Sequence, residues 1–180
     1  DITFALKPIL EEELRKNNLL ELFTNIEMPL VDVLLSMERQ GVKIDTNQLH
    51  NFSQLLQEQK QELEQRIYQL AGREFNISSP KQLGTILFDE LQISSDKKSK
   101  KTQTKQYSTS EDVLQKLINY HPIIPLILEY RSLTKLKSTY VDALPEIVNQ
   151  KTGKIHTNYK QATTATGRLA SESPNLQNIP

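Results

Sequence analysis

The chain has 180 residues, enough for one compact domain or for one domain with pieces of its neighbours. Apolar residues make up only 37% of it, which favours long exposed helices over a thick core, and the absence of cysteine excludes disulfides and thiolate metal sites. The formal net charge of zero conceals an asymmetry, since residues 1–96 hold 9 Lys and Arg against 16 Asp and Glu, whereas residues 97–180 hold 13 against 6.

The N-terminal part is predicted to be helical. Residues 3–23 read as a helix that breaks at Asn17–Asn18, because paired asparagines favour a turn. Residues 26–40 place apolar side chains at helical spacing, and Gly41 is a good C-terminal stop. Residues 42–44 are then expected to form a short extended link.

A long helix is predicted to begin at Asp45 or Thr46 and to end near Leu70, where Ala71 and Gly72 follow. Its apolar residues recur in a near-heptad rhythm at Leu49, Phe52, Leu56, Leu63, Ile67 and Leu70. Such a narrow stripe is typical of a helix that packs against a single partner helix. The predicted partner is 123–148, whose apolar side carries Ile127, Tyr130, Leu133, Leu136, Tyr140 and Leu144. The two helices would form a long antiparallel arm.

Two short helices and a basic loop lie between the two arm helices in sequence. Ser79 and Pro80 are predicted to begin the first of these helices. Its inward side is predicted to carry Leu83, Ile86, Leu87 and Leu91. The stretch near 94–109 is rich in Lys, Ser and Thr, which predicts a loop. Ser110 is expected to cap the second short helix over residues 111–120.

After Asn149 the pattern becomes that of β structure. A Thr-Gly turn is followed by alternation at Ile155, Thr157 and Tyr159, which predicts strands. The last residues are rich in side chains that can contact a polar ligand, namely Thr163, Thr164, Thr166, Gly167, Arg168, Ser171, Ser173, Asn175, Gln177 and Asn178. We expect this segment to belong to a different structural unit from the arm.

Five blocks of the sequence carry a family resemblance. They read IEMPLVDVLLSMERQGVKID, FNISSPKQLGTILFDEL, YSTSEDVLQKL, EYRSLTKLKSTYVDALP and KTGKIHTNYKQATTATGRLASESPNLQNIP. In this order they resemble family A DNA polymerases, the bacterial DNA polymerase I group. TATGR alone would be a weak signal, but five ordered blocks that end in PNLQNIP are highly specific. The resemblance covers essentially the whole chain.

The resemblance implies a mainly α fragment of a multidomain α+β polymerase, with a long antiparallel helical arm, the thumb, and a short β segment at its C-terminus. Residues 1–25 would be the end of a 3′–5′ exonuclease-type domain, 26–150 the thumb, and 151–180 the start of the palm. The remaining palm and the fingers would supply the carboxylates that bind Mg²⁺ and the helix that binds dNTPs. We therefore expect no catalytic residue, no metal ligand and no polymerase activity in the fragment alone.

The resemblance also implies that this part of the enzyme holds primer–template DNA through phosphates and the minor groove, whose acceptor pattern is degenerate. The basic excess of the second half supports such a polyanionic partner. Arg168, beside a glycine, suits insertion into the minor groove near the primer end. The predicted DNA-binding residues are Lys97, Lys98, Lys100, Lys101, Lys105, Ser108, Lys135, Thr164, Arg168, Asn175, Gln177 and Asn178.

Each of these roles has a structural alternative. Lys135 and Lys137 could simply face water on a solvated helix. Arg168 could form a salt bridge within the palm. Asn175 and Asn178 could cap turns through their own backbone. The basic residues as a group could merely keep the surface solvated.

Other functional classes also remain open from the sequence. The two apolar stripes alone would suit a coiled-coil adaptor, and the charge asymmetry alone would suit a stand-alone nucleic-acid-binding module. A family member of bacteriophage or organelle origin is a third reading. No apolar run is long enough to cross a bilayer and no signal-peptide pattern opens the chain, so we expect an intracellular protein. The family resemblance further implies a monomer in the bacterial cytoplasm, at the nucleoid.

The basic loop generates a testable prediction. Replacing Lys97, Lys98, Lys100 and Lys101 by Ala in the full-length polymerase should weaken binding equally for all DNA sequences, because phosphate contacts carry no base information. Each lost contact should flatten the log–log salt dependence of binding by about 0.9. Anisotropy titrations at several KCl concentrations measure this slope. An unchanged slope would show that the loop makes no phosphate contact.

Overall fold

The computed structural model describes residues 2–93 and 107–179. Within them the fold is mainly α with one two-stranded antiparallel sheet, which confirms the predicted fold class. The chain divides into two compact units, one built from Asp1–Ile44 with Ile147–Pro180 and the other from Asp45–Glu146. Residues 26–44, which were assigned to the thumb together with the arm helices, group in this division with the β segment. The assignment to exonuclease-type, thumb and palm domains stays a prediction.

The first unit begins with three helices. Helix α1 spans Ile2–Lys16, and the chain then turns at Asn18, whose φ is +56°. Helix α2, Leu20–Leu22, continues through a π-turn, Phe23–Glu27, into α3, Met28–Gln40. The predicted break at Asn17–Asn18 and the predicted end at Gly41 are both confirmed.

Gly41 is required at the end of α3 for two reasons. Its φ of +62° lies in the left-handed region, which disfavours other residues. A Cβ there would also lie 2.7 Å from Cε1 of His156, closer than any tolerable contact. The close approach allows Val42 to bridge to Ile155, with amide–carbonyl distances of 2.8 and 2.9 Å.

The sheet of the first unit is small. Strand β1, Asn158–Lys160, pairs antiparallel with β2, Ala170–Glu172, and Tyr159 lies opposite Ser171. The predicted alternation is confirmed at Ile155 and Thr157, which are both buried. The amide of Tyr159 donates to Oε1 of Glu38 at 2.7 Å, which attaches β1 to α3.

The second unit is the helical arm with its tip. Its N-terminal helix α4 spans Thr46–Ala71, with Asp45 accepting from the Gln48 amide at 3.0 Å and Gly72 left-handed at the end, as predicted. The tip holds α5, Pro80–Gly84, with a π-turn, Thr85–Glu90, and α6, Glu111–Lys116. The second side of the arm, antiparallel to α4, consists of α7, Ile123–Leu136, a π-turn, Lys137–Val141, and α8, Ala143–Glu146.

Two predicted helices of the arm differ from the structure. The helix predicted over 111–120 ends at Lys116, because the chain tightens into turns that bury Leu117 and reverse direction before Pro122. The helix predicted over 123–148 is interrupted by the π-turn and ends at Glu146. The arm is antiparallel as predicted, since Lys60 lies 5.4 Å from the Tyr130 ring centroid and Ser53 bonds to Asp142.

The core of the second unit is larger than a two-helix seam. Leu63 and Ile67 of α4 share one cluster with buried residues of the tip and of α7. Those partners are Phe75, Ile77, Leu83, Ile86, Leu87, Ile93, Leu114, Leu117, Ile123, Ile124, Leu126, Ile127 and Tyr130. The expectation that α4 packs against a single partner helix was therefore wrong around Leu63 and Ile67, because the tip helices also cover its apolar stripe there. Phe52, which was assigned to that stripe, is exposed.

The core predicts the stability of two variants of α4. Ile67→Ala should lower the free energy of unfolding by about 2–5 kcal/mol, because a fully buried side chain leaves a cavity. Leu55→Ala, at a residue 48% exposed on the same helix, should change it by less than about 1 kcal/mol. Urea unfolding followed by circular dichroism measures both. Equal losses would contradict this placement of the core.

Candidate nucleic-acid interface

A groove on the helical unit brings two of the predicted contact residues together. It encloses about 700 Å³, and both Ser108 and Lys135 line it. The wall also carries Ser78, Pro80, Tyr107, Thr109, Ser110, Tyr130, Arg131, Thr134, Ser138 and Thr139. Hydroxyl groups and two cations thus contribute to the wall, and none of the lining residues in the described part of the chain is a carboxylate. Such a wall can donate hydrogen bonds to phosphate oxygens and attract their charge.

Helix α7 supplies one wall of the groove through a polar stripe. Arg131, Thr134, Lys135 and Ser138 follow one another at i, i+3, i+4 and i+7, so they lie on one face of the helix. The hydroxyl oxygen of Thr134 is shielded from solvent and has no hydrogen-bond partner within the described residues. Of these four residues, only Lys135 was predicted from the sequence to contact DNA. The helical spacing of the other three was the signal that could have found them.

Arg131 joins the two walls of the groove. Its guanidinium donates to the carbonyl oxygen of Thr109 and, at 3.2 Å, to the Thr109 hydroxyl. Burial lowers the pKa of Arg131. The guanidinium nevertheless remains charged at neutral pH, because arginine is not deprotonated in proteins. Arg131 therefore holds the residues around Ser108 against α7 while keeping a positive charge in the groove.

Tyr107 fixes the same wall from its other side. Its hydroxyl donates to Oδ1 of Asp89 at 2.7 Å, and its ring packs on Phe88 with 4.8 Å between centroids. The bond to Asp89 raises the pKa of Tyr107. A Cβ at Gly84 would lie 3.1 Å from the Tyr107 Cβ, so the absence of a side chain at residue 84 allows this close packing. Ser108 is thus presented from a well-anchored position.

Lys135 and Lys137 have different environments. Lys135 is exposed and lines the groove. Lys137 instead forms an ion pair with Asp142, with 2.7 Å between Nζ and Oδ2, and its side chain is only 18% exposed. The hydrogen bonds from Lys137 and Ser53 lower the pKa of Asp142. Of the two lysines, Lys135 is the one whose charge is available to a ligand.

In the first unit, Arg168 lies on the loop that joins β1 to β2. The loop is closed by a hydrogen bond from the Thr164 hydroxyl to the Arg168 carbonyl at 2.7 Å and by one from the Gly167 amide to the Thr164 carbonyl at 3.3 Å. Gly167 has a φ of +71°. The Arg168 side chain is exposed, and it forms no hydrogen bond or ion pair with any residue of 2–93 or 107–179. The alternative of a salt bridge is therefore not seen in this part of the chain.

Polar side chains in and after β2 form hydrogen bonds with the nearby backbone. Oδ1 of Asn175 accepts from the Gln177 amide at 3.0 Å, and the buried Ser171 hydroxyl accepts from the Leu176 amide at 3.1 Å. Nε2 of Gln177 donates to the Leu169 carbonyl at 3.0 Å. Asn175 thus caps a turn, as its structural alternative anticipated. The DNA contacts of Asn175 and Gln177, and of the exposed Asn178, stay predictions.

The remaining sequence predictions concern the basic loop and metals. Lys97, Lys98, Lys100, Lys101 and Lys105 lie outside the described residues. Within the described ranges, no group of three or more His, Asp or Glu side chains is placed to hold a metal ion. In those same ranges, no helix has both the length and the apolar character that a membrane span requires.

Comparisons with known proteins show the family of the chain. A family model described as DNA polymerase family A matches residues 46–180. The chain is 53% identical over 177 residues to DNA polymerase I of Geobacillus stearothermophilus, covering 98% of this chain and 20% of that protein. It is 53% identical over 179 residues to DNA polymerase I of a Synechocystis species, covering 99% of this chain and 18% of that protein. The chain thus spans about a fifth of the length of these relatives.

A solved structure is similar over almost the whole chain. It is the POL domain of Pol1 from M. smegmatis, in complex with DNA primer-template and dNTP. The TM-score is 0.82 at 38% sequence identity, and the match covers 98% of this chain and 30% of the other.

Proposed function

The chain belongs to DNA polymerase family A, and we propose that it is the part of a DNA-directed DNA polymerase that holds the primer–template duplex during replication and repair. The observation that carries the proposal is the groove, where Ser108 and Lys135 lie together with other hydroxyls and with Arg131. In the proposal this groove binds phosphates of the duplex. Phosphate contacts hold DNA of any sequence, which a polymerase requires.

The second surface in the proposal is the loop with Arg168. Every base pair presents an acceptor in the minor groove, so one arginine can contact any correct pair. A mispair displaces those acceptors, which would couple the contact to fidelity. The hydrogen bonds of Thr164 and Gly167 support this role, because they fix the loop backbone while the guanidinium stays exposed.

The parts of the chain are proposed to have the following places in the enzyme. Residues 26–150 contain the thumb, 151–180 begin the palm, and 1–25 end a 3′–5′ exonuclease-type domain. We propose that the Mg²⁺ of the nucleotidyl transfer is bound by carboxylates in other parts of the enzyme. The dNTP substrates are likewise assigned to other parts of the polypeptide. We also propose a monomer that works at the nucleoid of the bacterial cytoplasm; the bacterial relatives support the bacterial origin.

A coiled-coil adaptor is less well supported. The apolar stripe of α4 is covered by the tip helices and α7 together, whereas an adaptor would need a regular two-helix seam. It would also leave the polar groove and the loop with Arg168 without a role.

Arg168 gives the decisive experiment. In the full-length enzyme, Arg168→Ala should cost about 1–3 kcal/mol of transition-state stabilisation, the size of a charge-assisted hydrogen bond. Most of that loss should appear in the rate of incorporation, because the contact aligns the primer end. Arg168→Lys should recover only part of it, since the planar fork is lost. Single-turnover incorporation at matched and mismatched primer ends measures these effects.

Arg39→Ala is the matched control, because Arg39 is an exposed arginine on α3 of the same unit and lies outside both proposed surfaces. It should leave the incorporation rate unchanged. If Arg168→Ala left the matched rate intact and merely loosened DNA binding, Arg168 would be a backbone clamp and the proposed geometry check would be wrong.

A further inference from the structure

An acidic residue lies at the end of the groove-bearing helix segment. Both carboxylate oxygens of Asp142 accept hydrogen bonds, one from Nζ of Lys137 at 2.7 Å and the other from the hydroxyl of Ser53 at 2.7 Å. Ser53 belongs to α4, so the network joins the two sides of the arm. Ser138 and Thr139, which line the groove, lie between Lys137 and Asp142 in the chain.

The Lys137–Asp142 pair depends on the π-turn. Residues five apart in an α-helix are separated by about 140° around the axis, so their side chains do not meet. Here the Asp142 amide donates to the Lys137 carbonyl at 2.8 Å, which is the i→i+5 bond of a π-turn and places the two residues above one another. The ion pair and the π-turn therefore stabilise each other.

The π-turn changes the face that the chain presents along the arm. Before it, Arg131, Thr134 and Lys135 line the groove. Within it, Ser138 and Thr139 also line the groove, whereas Val141, and Leu144 just after it, are buried, with exposures of 3% and 8%. In an uninterrupted α-helix, the residues after 141 would be rotated by about 100° about the helix axis relative to their orientation here, because the π-turn accommodates one extra residue. The π-turn thus sets which side chains of this segment line the groove and which are buried.

From this geometry we infer that Asp142, with Lys137 and Ser53, is a positioning residue for DNA binding at the groove. The network holds the Ser138–Thr139 segment against α4 in the register that the groove needs. Lys137 takes part in this network and does not contact phosphate. The inference rests on the proposed function, since it concerns the binding of DNA by the same groove.

The direction in which Asp142→Asn changes DNA affinity distinguishes this inference from a purely electrostatic expectation. A carboxylate near a polyanion repels it, so neutralising a surface Asp should tighten DNA binding, and freeing Lys137 should tighten it further. The inference predicts the opposite for Asp142→Asn. An ion pair of this exposure has a modest effect, so we expect binding to weaken roughly fivefold.

The test uses the full-length protein with Asp142→Asn, Lys137→Met and the double variant. A fluorescently labelled primer–template duplex is titrated between about 50 and 200 mM KCl, at a temperature where melting curves show each variant to be folded. Each single variant should bind roughly fivefold more weakly, and the double variant no more weakly than either, because all three break one network. The salt slope of Lys137→Met should match that of the parent protein, whereas Lys135→Ala should flatten it by about 0.9.

Two further variants serve as a charge control and as an alternative test of the network. Glu129→Gln neutralises an exposed acidic residue of α7 outside the network, and it should leave binding equal to the parent or slightly tighter. Ser53→Ala removes only one hydroxyl, so it tests the network if Lys137→Met does not fold, and it should weaken binding about twofold.

Unchanged or tighter binding by both Asp142→Asn and Ser53→Ala would overturn the inference. A slope flattened by about 0.9 in Lys137→Met would also overturn it, since Lys137 would then contact phosphate directly. A lower melting temperature with unchanged affinity of the folded protein would show a purely structural role. If the parent protein did not bind the duplex at all, or if Lys135→Ala behaved like the parent, the proposed function would fail instead.

Discussion

The packing of α4 against α7 and the tip helices is the constraint on which the helical unit depends. Leu63 and Ile67 share one core with Ile123 and Ile127, and each of these residues has at most 5% of its surface exposed. Burying this face of α7 fixes the rotation of the helix about its own axis. The polar stripe with Arg131 and Lys135 continues this side of the helix beyond the core, since Arg131 lies four residues after Ile127, and there it lines the groove. Elementary apolar burial therefore decides where the charged groups lie.

The chemistry of the groove suits a ligand that has to move. Hydroxyls outnumber cations in its wall, and a neutral hydroxyl donates a single hydrogen bond without the long-range attraction of a lysine. Arg131 is partly committed to Thr109, which leaves the exposed Lys135 as the stronger attraction. A few charges with many weak donors would hold a phosphate backbone while allowing it to advance. Tight binding by many cations would oppose that advance.

Local sequence signals predicted most of the fold because they act over a few residues. The Asp45 cap, the left-handed Gly72 and the end of α3 at Gly41 each follow from the chemistry of one or two side chains. The interruption of the helix after Leu136 was not predictable in this way. The π-turn contains the buried Val141 and packs against α4, which is distant in the sequence. Single-sequence periodicity does not contain such long-range demands.

The predicted contact residues could likewise be identified only in part from the sequence. Residue type indicated a polar ligand around 163–178, but it could not separate the side chains that bind a ligand from those that shape the backbone. Thr164, Asn175 and Gln177 donate or accept within the segment, whereas the guanidinium of Arg168 does so with no residue of the described chain. Internal hydrogen bonds of this kind reduce the freedom that the loop would lose on binding. A pre-shaped loop with one exposed guanidinium loses less conformational freedom on binding than a loop of many mobile side chains would. The polar neighbours of Arg168 can therefore support its proposed DNA contact without contacting a ligand themselves.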